Sequence, residues 1–125
     1  MIRKILCGSA TRLLSKQKYN WSFTFDCEDG YAETAPVGAF KANGFSLQDM
    51  LGNAWEWVED CYNKTYDGAP RDGSAWVAGN CSVRVIRGGG WNYDPLDVRA
   101  AFRIWDSPGK RFNDLGFRIA RTLTP

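Results

Sequence analysis

The sequence predicts a loop-rich α+β domain with a small β-sheet and one or two short helices. The 125 residues include 13 glycines and 5 prolines, which punctuate the chain at close intervals and leave little room for regular helix. The segments with alternating or β-branched side chains are short, as is typical of strands. The length suits one domain, and a chain of this size buries roughly two-thirds of its unfolded surface.

The helical pattern is confined to two segments. In residues 2–15, the apolar side chains within reach of one helical face are Ile2, Ile5, Leu6, Leu13 and Leu14. Residues 46–51 are a shorter candidate, because Ser46 can cap a first helical turn. We therefore predict a helical N-terminal segment over residues 1–18, followed by a domain over residues 19–125.

Short strands are predicted in the rest of the chain. They cover residues 55–59, 84–87, 98–103 and 115–121, each of which shows alternation or a β-branched pair. Because side chains alternate along a strand, Trp55 and Trp57 share one face of the first strand, and Glu56 lies on the other.

Residues 49–57 are the strongest candidate for a functional site. Asp49 and Glu56 can supply carboxylate oxygens, and a turn at Gly52-Asn53 can aim main-chain carbonyls between them. Calcium prefers this mixture of hard oxygen ligands. The alternative is that both carboxylates are surface groups or pair with arginines.

The composition excludes several classes of protein. The chain has no histidine, and imidazole is the usual general base near neutral pH and a frequent ligand of zinc, iron and copper. The net charge of +2 comes from scattered residues and gives no basic stripe for nucleic acid. No apolar run could span a bilayer, and residues 1–7 lack the apolar core of a signal peptide. We therefore expect a soluble, cytoplasmic protein that binds neither nucleic acid nor membrane.

The cysteines leave two interpretations open. Cys7, Cys27, Cys61 and Cys81 form no CxxC pair, so a zinc site is not expected, and free thiols are the default in the cytosol. Cys61 and Cys81 nevertheless bracket the loop between the first two predicted strands. A disulfide there, or proximity without a bond, would restrain this long loop.

The arginines Arg99, Arg103 and Arg118 also have two interpretations. Each lies in a predicted strand whose alternate residues are apolar, so the guanidinium groups share the opposite face and can pair with carboxylates. They could form a pocket for an anionic ligand or tie loops to the sheet. We favour the structural role.

Residues 91–113 interleave aromatic side chains with short polar ones. Such amphipathic side chains on loops make good recognition surfaces. The predicted ligand-binding residues are Trp91, Tyr93, Asp94, Trp105, Asp106 and Phe112. The alternative is that half of the aromatic side chains simply cap the core.

Four sequence blocks resemble the signature blocks of the formylglycine-generating enzyme, or sulfatase-modifying factor, superfamily. They are Gly-Phe-Ser-Leu-Gln-Asp-Met-Leu-Gly-Asn-Ala-Trp-Glu-Trp at 44–57, Arg-Val-Ile-Arg-Gly-Gly-Gly-Trp at 84–91, Val-Arg-Ala-Ala-Phe-Arg at 98–103 and Leu-Gly-Phe-Arg-Ile-Ala at 115–120. The resemblance begins near residue 19 and matches only the C-terminal part of the family's domain. It implies a truncated C-type-lectin-like fold with a small twisted antiparallel sheet.

The resemblance also implies a calcium site. The matching ligands are the side chains of Asp49 and Glu56 and the carbonyl oxygens of Gly52 and Ala54. A second calcium site is weaker, because the spacing between its halves departs from the enzymes' pattern. Its candidate ligands are Asn20, Trp21 O, Asp29 and Tyr31 O.

The catalytic residues of the similar enzymes have no counterpart in this chain. Formylglycine-generating enzymes hold copper through two thiolates just after a Gly-Gly-Ser block, and monovalent copper requires such soft ligands. Here Gly90 replaces the serine, and residues 88–99 contain no cysteine. We therefore expect no copper and no conversion of cysteine to formylglycine. The related iron-dependent sulfoxide-forming enzymes bind their metal through histidines, so the lack of histidine excludes them too.

The resemblance and the aromatic segment together favour a non-catalytic module that binds an unknown protein, peptide or small molecule. A sulfatase-modifying type of enzyme and a recombined fragment with a structural role are the alternatives. Because the family's N-terminal part has no match, we expect an uncovered apolar surface, which a two-fold homodimer would bury. A monomer whose loops close over the gap is the other outcome.

Overall fold

The computed structural model describes residues 29–94 and 96–121. These residues form a mixed sheet of four strands in the order β3-β2-β1-β4. The strands are β1 (Trp55–Tyr62), β2 (Asn80–Arg87), β3 (Arg103–Asp106) and β4 (Leu115–Phe117). The remaining described residues form turns and loops.

The central hairpin of β1 and β2 carries most of the core. The β-branched residues Val85 and Ile86 are each 2% exposed, which suits them to the middle of a sheet. The register pairs Trp57 with Ile86, and it shifts between Trp57 and Cys61 and again before Tyr62. Such irregularities bend and twist the strand that contains them.

The buried core is small and dominated by the two central strands. Its members are Ala35, Trp55, Cys61, Val85, Ile86, Trp91 and Val98. Asn53 ties loops to this core, because its Oδ1 accepts from Ala35 N at 2.8 Å and its carbonyl accepts from Trp91 N at 2.9 Å. Asn53 is 8% exposed, so these bonds satisfy a buried polar group.

The prediction of a wholly antiparallel sheet is wrong. β3 runs antiparallel to β2, but β4 runs parallel to β1, with Trp55 opposite Leu115. The chain leaves β3 at one edge and returns at the other, where Trp55 N donates to Asp114 O at 2.7 Å. This long-range pairing sets the direction of β4.

The predicted helix at residues 46–51 is also wrong, and the described residues contain no helix. Ser46 and Asp49 have φ angles of 61° and 54°, in the left-handed region that an α-helix excludes. Asn43 Oδ1 accepts from Phe45 N and Leu47 N, so the asparagine organises this segment as a turn. The helix predicted over residues 2–15 lies outside the described residues.

The predicted strand boundaries hold best in the central hairpin. β1 begins at Trp55 and β2 ends at Arg87, as predicted, although both strands are longer than expected. The strand predicted at 98–103 is wrong for residues 98–102, where Phe102 N donates to Arg99 O in a turn. Only Arg103, the first residue of β3, is in a strand. The strand predicted at 115–121 ends at Phe117.

A disulfide joins Cys61 and Cys81 across the loop between β1 and β2. Cys61 is 1% exposed, whereas Cys81 is exposed. Inside the loop, Trp76 N donates to Asp60 Oδ1, and Cys61 N donates to Trp76 O. Hydrogen bonds and the disulfide together hold this loop against the sheet. Among the described residues, no helix is long and apolar enough to cross a membrane.

Candidate functional site

Two cavities lie on opposite faces of the sheet around β1. Glu56 lines one and its neighbour Trp55 lines the other, as expected for adjacent residues of a strand. We call the first the carboxylate–arginine cavity and the second the aromatic cavity. Together they contain most of the residues that the sequence predicts for a site.

The carboxylate–arginine cavity has a volume of about 450 Å³. Residues lining it include Val37, Asp49, Ala54, Glu56, Phe117 and Arg118. Three of the predicted calcium ligands are therefore in this cavity, and Gly52, the fourth, is buried and donates its N–H to Gly88 O at 2.7 Å.

Arg118 is the central cation of this cavity. It pairs with Glu56 through Nη2 and Oε1 at 2.7 Å and through Nε and Oε2 at 3.0 Å, the bidentate geometry that suits a guanidinium. Nη2 also donates to Asp49 O at 3.2 Å. The hydrogen bonds with Glu56 raise the pKa of Arg118 above its ordinary value, against a smaller opposing effect of burial. Arg118 thus ties the turn before β1 to the sheet, which is the structural role favoured from the sequence.

Asp49 offers a donor atom that the fold does not use. Its Oδ2 accepts from Gly38 N at 2.8 Å, whereas its Oδ1 is buried and has no hydrogen-bond partner among the described residues. Buried polar atoms rarely stay unpaired. The donor chemistry fits a hard cation such as calcium, with carboxylates from Asp49 and Glu56, although Glu56 would be shared with Arg118.

No described group of three or more histidine, cysteine or acidic side chains could hold a metal ion. The predicted site relies on only two carboxylates, and carbonyl oxygens would have to supply the remaining protein ligands. Of the weaker second site, Asn20 and Trp21 lie outside the described residues. Burial raises the pKa of Asp29, while its Oδ1 accepts from Tyr31 N at 2.9 Å.

The aromatic cavity has a volume of about 300 Å³. It brings together four of the six predicted ligand-binding residues, which are Tyr93, Trp105, Asp106 and Phe112. Trp55 closes the cavity from the core and meets Tyr93 edge to face, with ring centroids 5.0 Å apart. Trp105 and Phe112 are each 52% exposed, so they present aromatic surface at the rim.

The other two predicted ligand-binding residues lie elsewhere. Trp91 belongs to the core, at 8% exposure. Asp94 Oδ1 accepts from Leu96 N at 2.9 Å in the following turn. The structure therefore divides the aromatic segment between packing and cavity, and the cavity also takes residues that the sequence analysis did not select.

Two residues that the sequence analysis did not select as ligand-binding contribute buried, unpaired polar atoms to the aromatic cavity. Trp55 Nε1 and Asn92 Oδ1 are buried without a hydrogen-bond partner among the described residues, and both residues line the aromatic cavity. A Cβ atom on Gly90 would lie 2.7 Å from Trp55 Cδ1 and 3.2 Å from Asn92 Oδ1. Glycine at this position lets the backbone approach both side chains closely.

Asp114 is the second missed group. It is 7% exposed and lines the aromatic cavity, and no hydrogen bond or ion pair to its carboxylate occurs within residues 29–94 and 96–121. Burial raises the pKa of Tyr93, and the negative charges of Asp114 and Asp97 raise it further. The Tyr93 hydroxyl therefore stays neutral to a higher pH than an ordinary phenol.

The remaining arginines pack against aromatic rings. Arg103 lies over Tyr66 at 4.6 Å from the ring centroid and donates from Nη2 to Lys64 O. Arg99 lies over Phe102 at 5.4 Å. These contacts again match a structural role, because the guanidinium groups hold loops and rings in place.

The glycine block that precedes the thiolates of similar enzymes packs closely against Val98 here. A Cβ atom on Gly89 would lie 2.9 Å from Val98 Cγ2, and Val98 is 3% exposed. The cysteines that the structure describes, Cys61 and Cys81, are bonded to each other. Among the described residues, no free thiolate faces either cavity.

Comparison with known proteins identifies the family. The model of the sulfatase-modifying factor enzyme 1-like domain matches residues 8–123. The formylglycine-generating enzyme of Streptomyces coelicolor is 35% identical over 96 residues, which cover 74% of this chain and 31% of that protein. The inactive C-alpha-formylglycine-generating enzyme 2 of Mus musculus is 34% identical over 100 residues, covering 74% and 28%.

A solved structure agrees with these sequence matches. The structure of PvdO from Pseudomonas aeruginosa has a TM-score of 0.69 and 37% identity, and the match covers 89% of this chain and 38% of that one. The chain thus spans about a third of the length of these three relatives. From the family model and the shared fold, this chain belongs to the sulfatase-modifying factor enzyme 1-like, or formylglycine-generating enzyme-like, family.

Proposed function

We propose that this chain is a non-catalytic binding module whose ligand occupies the aromatic cavity. The observation that carries the proposal is the cavity itself, in which exposed aromatic rings surround buried polar atoms without partners. A few placed polar groups among apolar walls are typical of ligand sites. The family contains enzymes and a relative named as inactive, so family membership alone does not decide between catalysis and binding.

The local chemistry supports binding rather than oxidation. A formylglycine-generating site needs thiolates for copper, and residues 88–99, which include the stretch after the glycine block, contain no cysteine. We propose that the family's scaffold, a C-type-lectin-like fold, serves here to display loops. Calcium bound by Asp49 and Glu56 would stabilise the turn that precedes β1.

The proposal can be tested without knowing the natural ligand. The test uses a panel of small fragments, each about the size of an aromatic ring, that includes cationic, anionic and uncharged compounds. The indole N–H signals of the six tryptophans are followed by ¹H–¹⁵N NMR during each titration. We expect some fragments to shift the Trp55 and Trp105 signals, and Trp105→Ala to weaken their binding. The matched control is Val77→Ala, which removes an exposed apolar side chain outside the cavity. Failure of every charge class to shift these signals would contradict the proposed function.

A further inference from the structure

The charged groups that line the aromatic cavity all carry negative charge. Asp106 and Asp114 contribute carboxylates, and none of the described lining residues is a lysine or an arginine. Asp106 Oδ1 accepts from Ser107 N at 2.7 Å, and no described cation forms an ion pair with either carboxylate. The cavity therefore holds negative charge that the described protein does not neutralise.

The arginine that lies opposite Asp106 in the sheet hydrogen-bonds to other groups. Arg84 lies opposite Asp106 in the β2–β3 register, but its Nη1 donates to Glu59 O at 2.6 Å and to Cys61 Sγ at 3.1 Å. Asp114 is 7% exposed as a residue, and its carboxylate has no hydrogen-bond or ion-pair partner among the described residues. A ligand cation in the cavity would find this carboxylate free to pair.

The unpaired acceptor atoms of the cavity are complementary to a ligand that donates N–H hydrogen bonds. Besides the carboxylates, Asn92 Oδ1 is buried without a partner among the described residues. The walls of the cavity are the aromatic rings of Tyr93, Trp105 and Phe112, whose faces attract cations. A guanidinium group satisfies both features, since it is planar, stacks on aromatic rings and donates several N–H bonds to carboxylates.

We propose that the aromatic cavity binds a guanidinium group, held between Asp106 and Asp114 and stacked against the aromatic rim. The group could belong to an arginine side chain of a protein partner or to a free guanidino compound, because the recognised chemistry is the same. This assignment rests on the proposed function as a binding module. It adds the charge and the donor pattern of the ligand.

The test compares two probes that differ only in the charge of the side-chain end group, and adds a free guanidino compound. N-acetyl-arginine amide, agmatine and the uncharged N-acetyl-citrulline amide are titrated against the full chain by ¹H–¹⁵N NMR. We expect both guanidinium compounds to shift the Trp55 and Trp105 indole signals, and citrulline to bind at least about tenfold more weakly. Agmatine carries a second positive charge, so tighter binding of N-acetyl-arginine amide would identify the flanking peptide groups, and hence a protein partner, as the source. Tighter binding of agmatine would identify a small cationic molecule.

Matched variants locate the interaction. Asp114→Asn should weaken binding of the guanidinium probes by about tenfold or more, because a neutral amide replaces one of the two carboxylates of the cavity. Asp106→Asn provides a second variant in case Asp114→Asn does not fold, and Asp72→Asn, an exposed site outside the cavity, is the control. Equal binding of citrulline and arginine, or unchanged affinity in both cavity variants, would overturn this inference. If only uncharged or anionic fragments bind, the proposed function survives and the guanidinium assignment fails.

Discussion

At the scale of single residues, the two cavities differ in how far the fold satisfies their polar groups. Arg118 and Glu56 neutralise each other in one cavity, whereas Asp114 has no described counter-charge in the other. Asp49 lies between these cases, with one carboxylate oxygen bonded and one unpaired. These differences predict where a metal ion and an organic ligand would bind.

The first prediction concerns calcium and the carboxylate–arginine cavity. Calcium should raise the melting temperature of chelator-treated protein and give a measurable heat of binding, because the unpaired Asp49 Oδ1 would coordinate the cation. Asp49→Asn should weaken this binding about tenfold or more, since the site loses one of its two carboxylates. The exposed Asp67→Asn is the control. No heat and no rise in melting temperature at millimolar calcium would rule the site out.

The second prediction concerns the ionisation of Tyr93. Burial and the nearby Asp114 and Asp97 raise the pKa of this phenol, so it should ionise above the ordinary value of about 10. Because the pKa of Tyr93 is higher in the folded than in the unfolded protein, protonated Tyr93 contributes to the stability of the fold. This contribution is fully present below the unfolded-state pKa and is lost as the pH rises through the folded-state pKa. Asp114→Asn should lower the pKa of Tyr93 by removing a negative charge.

The titration of Tyr93 is measured by NMR of ¹³Cζ-labelled tyrosine. Tyr31, which lies outside the aromatic cavity, is the internal comparison within the same spectra. An unchanged pKa of Tyr93 in Asp114→Asn would show that the carboxylate does not act on the phenol as described.

At the scale of elements, the loop between β1 and β2 depends on the Cys61–Cys81 disulfide, whose cysteines are separated by 20 positions. The third prediction is that reduction, or Cys81→Ser, lowers the free energy of unfolding by about 3 kcal/mol, because the unfolded chain loses a cross-link. Urea denaturation with and without reductant measures this loss. The measurement is made in a variant that combines Cys7→Ser with Cys27→Ser, so that Cys61 and Cys81 are the remaining cysteines.

Thiol counting in that background provides the check on the disulfide. Denatured, unreduced protein should react with no maleimide. Labelling at both Cys61 and Cys81 in protein isolated under native redox conditions would contradict the disulfide. It would instead agree with the free thiols expected of a cytosolic chain, since disulfides are typical of oxidising compartments.

The sequence predicted the elements that local pattern determines. The alternation at Trp55 and the β-branched residues before Arg87 fixed one end of each central strand. The parallel pairing of β4 was not predictable, because it depends on contacts between Trp55 and Leu115 across 60 positions of sequence. The false helix at residues 46–51 arose from a serine that resembles a cap but adopts a left-handed conformation.

The candidate site was predictable to a similar extent. Composition selected Tyr93, Trp105, Asp106 and Phe112, which the fold brings into one cavity. Asp114 was missed because it precedes a short strand and no local pattern marks it as buried. The unpaired state of Trp55 Nε1 is a property of packing, which no sequence motif records.

At the scale of the whole molecule, several apolar side chains are exposed beside the edge strand β4. Val37, Phe117 and Ile119 are 94%, 73% and 84% exposed, and all three line the carboxylate–arginine cavity. Edge strands with exposed apolar side chains favour association. This patch is the surface through which we expect a homodimer to form.

The fourth prediction is a two-fold dimer that buries this patch. Light scattering on a sizing column at micromolar concentration should give about twice the chain mass of 14.1 kDa, because an isologous contact buries the same surface on both chains. Ile119→Asp should shift the protein to a monomer, whereas Val77→Asp, at an exposed apolar site outside the cavity, should not. A wild-type mass near 14.1 kDa would defeat the dimer.

The central claim is that this chain uses the family's scaffold for binding without the family's oxidation chemistry, and a peptide-modification assay tests it most directly. A peptide with the motif Cys-x-Pro-x-Arg is incubated with the protein, copper and a reductant, beside a formylglycine-generating enzyme as the positive control. Because the described residues place no free thiolate at either cavity, mass spectrometry should detect no aldehyde in the sample containing this chain. Conversion of the cysteine to formylglycine above the level without protein would contradict the account.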